Sequence, residues 1–184
     1  MKYLPNSSDE GKYEVTVTEI KKDLDAFTMT VVSEWHAPLD RVWELWADPR
    51  KLERWWGPPM YPATVGEHEL RAGGRVSYFM TSPEGEQHYG WWKVVAVEVA
   101  KRLELVDGFA DADGTPDEQM PITETIVTFA ETSPGVTLMA IESRFPSKEA
   151  MEQLIAMGMD EGLAAAMGQI DAILVDETVS DRPR

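Results

Sequence analysis

The stretch from Ser147 to Val175 most constrains what this chain can fold into. Its apolar residues, Met151, Leu154, Ile155, Met159, Leu163, Met167, Ile170, Ile173 and Leu174, recur at three- and four-residue steps, the period of an amphipathic helix. Glu149, Glu152, Gln153, Asp160, Glu161 and Asp171 fall off that stripe and give the helix a wet side. Ser147 is placed to cap the N-terminus, and Glu149 sets negative charge in the first turn, where the macrodipole favours it. A helix of about 28 residues runs about 40 Å, so it needs an equally long surface to lie on. Gly158 and Gly162, four residues apart, would share one face of that helix, although each disfavours a helix by about 1 kcal/mol relative to alanine. Two readings stay open: another backbone approaches closely there, or the notch leaves a cavity lined by the adaptable side chains of Met157, Met159 and Met167.

The surface for the helix is found upstream. Tyr13 to Ile20 alternates as a short peripheral strand, and Phe27, Met29, Val31 and Trp35 alternate with polar residues as a half-buried one. Ala37-Pro38 ends it. Leu39 to Ala47 reads as a short helix with Val42, Trp43 and Trp46 inward. Asp48 at N-cap and Pro49 at N1 start a second, which Gly57-Pro58-Pro59 stops. Short strands follow over Val65–Leu70, Arg75–Thr81, Gln87–Val99, Arg102–Val106, Ile122–Ala130 and Val136–Phe145, with turns at Gly73-Gly74, Pro83-Glu84-Gly85 and Ser133-Pro134-Gly135. Asp107 to Met120 reads as a long acidic loop. Without βαβ alternation the class is α+β, a meander sheet with the long helix lying across it.

Charge and composition exclude several functions. The chain of 184 residues carries a formal net charge of −16, which opposes a polyanion and makes nucleic acid an unfavourable partner. No run of about 18 apolar residues exists, so no membrane span is expected. Residues 1–10 lack the apolar core of a signal peptide, and the cytoplasm is the expected location. Cysteine is absent, which removes disulfides, thiolate catalysis and thiolate-bound metals. His36, His68 and His88 lack ligand spacing, and the Asp107–Met120 loop does not match a calcium-loop pattern, so no metal and no cofactor are expected. No nucleophile-elbow motif is found, and no catalytic residue is assigned.

Adjacent residues on a helix end or a strand cannot both face inward. One of Trp55 and Trp56 is therefore expected in the core and the other at a pocket entrance, and only one of Trp91 and Trp92 faces the helix. Several short motifs then resemble one known family in order and spacing: Ala37-Pro38 before Val42-Trp43, Trp46-Ala47-Asp48-Pro49, Leu52, Trp55-Trp56-Gly57-Pro58, Gly73-Gly74, Gly90 before Val94-Val95, and Met157-Gly158-Met159-Asp160-Glu161-Gly162. They resemble the homologues of the activator of the heat-shock-protein-90 ATPase, within the Bet v 1/START-like superfamily. The resemblance implies a helix-grip fold over residues 25–176, a curved antiparallel sheet wrapped around the long C-terminal helix. Residues 1–24 would be an N-terminal extension and 177–184 a flexible acidic tail. It also implies an apolar cavity between sheet and helix that binds a small hydrophobic molecule: lipid-, aromatic- or polyketide-like. The residues expected to line it are Trp55, Trp56, Tyr78, Met80, Trp92, Met139, Ile141, Phe145, Met159, Gly162, Leu163 and Met167. Two alternatives stay open: a co-chaperone-like protein-interaction module, and an enzyme, a cyclase or hydrolase, acting on a bound aromatic compound. A protein partner and the oligomeric state are left open. At moderate salt the chain should show no saturable binding to duplex DNA in a fluorescence-anisotropy titration; micromolar binding with a steep salt slope would contradict the charge argument.

Overall fold

The computed structural model of the protein describes residues 17–180. The expected extension up to residue 16, with the start of its strand, and the last four residues of the expected tail lie outside the described residues. Eight strands form one antiparallel sheet: β1 (Val17–Asp23), β2 (Thr28–Trp35), β3 (Ala63–His68), β4 (Arg75–Thr81), β5 (Gln87–Glu98), β6 (Arg102–Ala110), β7 (Thr123–Ser133) and β8 (Val136–Arg144). Their spatial order is β1-β2-β8-β7-β6-β5-β4-β3, so β3 to β8 is a meander and β2 closes back beside β8. Two short helices, α1 (Leu39–Ala47) and α2 (Pro49–Leu52), connect β2 to β3. Asp48 caps α2 as its sequence position implies, its side chain accepting from the Arg50 N–H at 2.8 Å.

Alternation decides which side of the sheet is covered. On β2, Met29, Val31, Ser33 and Trp35 are buried while the residues between them are half-exposed. On β8, Met139 and Ile141 belong to the same buried face. The helices after β8 lie over that face. Met151, Leu154, Met167, Ile170, Ile173 and Leu174 are buried against it, and Ile155, Met159 and Leu163 are partly buried beside them. The fold is the helix-grip arrangement.

The C-terminal helical run differs from the continuous helix that its periodicity predicts. It is divided into α3 (Lys148–Ala156), α4 (Met159–Met167) and α5 (Ile170–Ser180). Ser147 caps α3, accepting from the Ala150 N–H at 3.1 Å. The first break is conformational: Gly158 has φ +87°, a left-handed backbone that strains any residue with a Cβ. Its carbonyl then accepts from the Gly162 N–H at 2.8 Å and starts α4. Hydrophobic spacing continues across the break, which is why the break is invisible to a periodicity reading. At the second break Gln169 reaches out of the helical run, its Nε2 donating to the Gly57 carbonyl at 2.7 Å. Arg54 Nη2 meets Asp176 at 3.0 Å, and Lys22 of β1 pairs with Asp160 of α4. The breaks at Gly158 and at Gly168-Gln169 divide the run into three helices.

Nothing lies within 4 Å of a Cβ added at Gly158, so any penalty for one comes from the backbone and not from crowding. Gly158→Ala should therefore destabilise the protein by about 1 kcal/mol, read as a lowered midpoint in urea unfolding with an unchanged slope. An unchanged or raised midpoint would mean that the left-handed turn is not required.

Candidate functional site

A cavity of about 310 Å³ lies between the sheet and α4. Strand register builds its floor. Tyr78 pairs with Gly90 and Gly90 with Phe109. Trp92 pairs with Asp107 and Asp107 with Thr123; Leu105 pairs with Thr125 and Thr125 with Ser143. Directly paired residues share a face of the sheet, so these rows present their side chains together. Gly90 has a steric reason to be glycine: a Cβ there would sit 2.4 Å from Tyr78 Cζ, because the tyrosine ring folds across its strand neighbour. The roof is Leu154, Met157, Met159, Leu163 and Ala166, with Gly162 facing Pro58 of the loop after α2. His88, Phe109 and Met157 are exposed lining residues and mark the mouth.

One end of the cavity is closed by aromatic rings. Trp56 packs edge-on to Trp92, with ring centroids 4.8 Å apart, and to Tyr78 at 5.9 Å. Trp46 and Trp55 stand behind them, 5.0 Å from each other. Trp55 is fully buried, and its indole N–H donates to the Leu45 carbonyl at 3.0 Å.

Seven of the residues expected to line the cavity do so: Trp56, Tyr78, Met80, Ile141, Met159, Gly162 and Leu163. The other five sit elsewhere. Trp55, Trp92, Met139, Phe145 and Met167 are all buried in the hydrophobic core. Trp92 and Met139 lie on the inward face but are covered by α1, since Trp46 packs on Trp92 at 5.8 Å and its N–H meets Met139 Sδ at 3.2 Å. Of the two tryptophan pairs, Trp56 lines the cavity and Trp55 is core, while Trp92 is inward and Trp91 donates to the Phe109 carbonyl at 3.0 Å. Gly162 has no close backbone neighbour; the nearest atom to an added Cβ is Pro58 Cγ at 3.8 Å. The notch is therefore open space, and the close-packing reading fails at this position.

Sequence reasoning missed the polar centre of the site. Asp107 was expected in a solvated loop, but β6 continues to Ala110 and carries it into the sheet. The signal was present: Leu103 and Leu105 are inward, so the same two-residue parity places Asp107 inward. The Asp107 carboxylate accepts from the Thr123 hydroxyl at Oδ1 and from the Thr125 hydroxyl at Oδ2 (3.0 Å). Burial raises its pKa above the usual carboxylate range, and the two threonine donors oppose that shift. The Tyr78 hydroxyl is held above the ordinary phenol range, first by burial and then by the Asp107 charge. The Trp56 and Trp92 N–H groups pull it partly back. Neither indole N–H reaches a hydrogen-bond partner by geometry, and burial keeps Tyr78 a neutral phenol. Among the described residues, no three His, Asp or Glu side chains converge in a way that could hold a metal ion.

An apolar cavity between a curved sheet and C-terminal helices, with one half-buried carboxylate on its floor, defines a helix-grip protein of the Bet v 1/START-like type. The chain belongs to the activator of Hsp90 ATPase homolog 1-like family, whose model matches residues 36–175. Solved structures agree. The chain is 45% identical to protein Ms6760 of Mycobacterium smegmatis, covering 86% of this chain and 97% of that one with a TM-score of 0.80. It is 43% identical to a protein from Arthrobacter aurescens, covering 88% and 93% with a TM-score of 0.84. At 25% identity, a Staphylococcus epidermidis protein still superposes with a TM-score of 0.75 over 86% of this chain and 94% of its own. No curated protein matches the chain in sequence.

The raised pKa of Asp107 has a consequence for stability. A carboxyl that binds its proton more tightly when folded loses stability as pH rises from the unfolded value of about 3.9 through the folded one. Asp107→Asn removes the charge and keeps one oxygen to accept from a threonine hydroxyl, while the other hydroxyl turns to accept from Nδ2. Its melting temperature relative to the natural protein should therefore rise between about pH 4 and pH 7. A difference that does not change with pH would mean that the carboxyl titrates normally.

Proposed function

We propose that this protein binds a small hydrophobic molecule in the cavity between its sheet and α4. The observation that supports this best is the volume itself, about 310 Å³ walled by Trp56, Tyr78, Met80, Phe109, Ile141, Met159 and Leu163. Ligand pockets commonly start at about 300 Å³. At about 24 cal/mol per Å³, a sealed, dry void of that size would destabilise the fold by about 7 kcal/mol. Domain stabilities are only about 5–15 kcal/mol. An open mouth reduces the penalty by admitting water, but water gains little from an aliphatic and aromatic wall. A largely apolar occupant fills the volume and covers the aliphatic and aromatic part of the wall. The bend at Gly158 and the missing side chain at Gly162 both enlarge the space.

The enzyme reading gains one supporting observation, Asp107, because a carboxyl with a raised pKa facing a bound molecule is the kind of group that transfers protons. The hydroxyls beside Asp107 belong to Thr123 and Thr125, which hold the carboxylate in place on the sheet floor, so binding remains the reading with the broader support.

Gly162→Leu fills the cavity from the roof and improves helix propensity. Affinity for the neutral probe N-phenyl-1-naphthylamine, followed by its fluorescence, should fall by about tenfold, or about 1.4 kcal/mol. The melting temperature should hold or rise. A large drop in melting temperature, or unchanged probe affinity, would place the binding site elsewhere.

A further inference from the structure

The charges on the cavity wall are one-sided. Asp107 is the single carboxylate among the lining residues, and no lysine or arginine lines the cavity. The two donors that reach it, from Thr123 and Thr125, are neutral hydroxyls. They occupy one lone pair on each oxygen and leave the others free. Trp56, Tyr78 and Phe109 surround the same space, and the faces of such rings attract cations. The whole chain, at a net charge of −16, draws cations towards it and repels anions. A half-buried carboxylate on an apolar wall, with neutral donors and no counter-ion, is electrostatically incomplete.

We propose that the molecule this cavity takes is an amphiphilic organic amine, its ammonium group paired with Asp107 and its hydrocarbon body held by Trp56, Tyr78, Phe109 and the α4 roof. This rests on the cavity-binding reading and specifies its ligand class. A fatty acid or other organic anion meets the Asp107 charge and is disfavoured. A neutral alcohol donates a hydrogen bond to Asp107 but leaves its charge uncompensated. Ion pairing and proton binding compete at Asp107, so amine affinity should weaken as pH falls and the carboxyl takes up its proton. The other titratable side chains lining the cavity are Tyr78 from β4 and His88 and Tyr89 from β5; the lining residues of β7, β8, α3 and α4 carry none. His88 stands at the mouth, and His88→Gln separates its effect from that of Asp107.

The test is competition for bound N-phenyl-1-naphthylamine by three ligands on one skeleton: 2-naphthylmethylamine, 2-naphthylmethanol and 2-naphthoate. At about pH 8 the amine should displace the probe at about tenfold lower concentration than the alcohol, and the carboxylate should be the weakest. In Asp107→Asn the amine should lose that roughly tenfold advantage over the alcohol. In His88→Gln the amine should still weaken as pH falls. An alcohol or carboxylate that matches the amine in the natural protein would overturn the proposal, without needing any variant to fold. So would an amine preference that survives Asp107→Asn. If the natural protein does not bind the neutral probe at all, the cavity-binding reading fails, which is a different result from losing the amine preference.

Discussion

A contiguous stack of aromatic rings joins the two sides of this protein, and the cavity depends on it. Trp46 from α1, Trp55 and Trp56 from the segment after α2, Tyr78 from β4 and Trp92 from β5 touch in sequence with centroids 4.8–5.9 Å apart. Each such pair contributes about 0.5–1.5 kcal/mol beyond the area it buries. The stack ties the inter-strand helices to the far half of the sheet. His68 Nε2 lies 3.0 Å from the Trp46 carbonyl, and Gln169 fastens the C-terminal helices to the Trp55–Gly57 backbone. The same rings that fill one end of the core end as a wall at Trp56 and Tyr78. Beyond that wall the sheet continues, but the helices no longer press against it.

The space opens because α4 does not follow α3. The left-handed turn at Gly158 redirects the chain before Met159, and Lys22 and Arg54 hold the redirected segments through Asp160 and Asp176. The chain thereby exchanges helix continuity for volume. Gly90, Thr123, Thr125, Ser143 and Gly162 leave room between the larger side chains that line the cavity.

Much of this was legible in the sequence. The order of strands and helices followed from alternation, turn chemistry and caps such as Asp48-Pro49 and Ser147, because those signals are local. The family motifs pointed to the helix-grip arrangement over most of the chain. The split of the helix was not legible, since glycine spacing alone cannot distinguish a notch on a helix face from a left-handed turn. Whether an inward residue meets a helix or a void also depends on the partner across the fold, which is why Trp92 and Met139 read as cavity wall although α1 covers them. Asp107 was lost to composition: it opens a run rich in acidic residues, and that context outweighed the strand parity that Leu103 and Leu105 had already set.

The most direct test of the central claim, that an apolar molecule sits between sheet and α4, is a heteronuclear NMR titration of the protein with N-phenyl-1-naphthylamine. The account predicts that the saturable shift changes cluster on the amides of Tyr78, Gly90, Asp107, Thr123, Thr125 and Gly162, which come from four strands and one helix and meet only around the cavity. Shift changes confined to Val95 on the outer face of the sheet and Val99 in the turn after β5, or no saturable change at all, would contradict it.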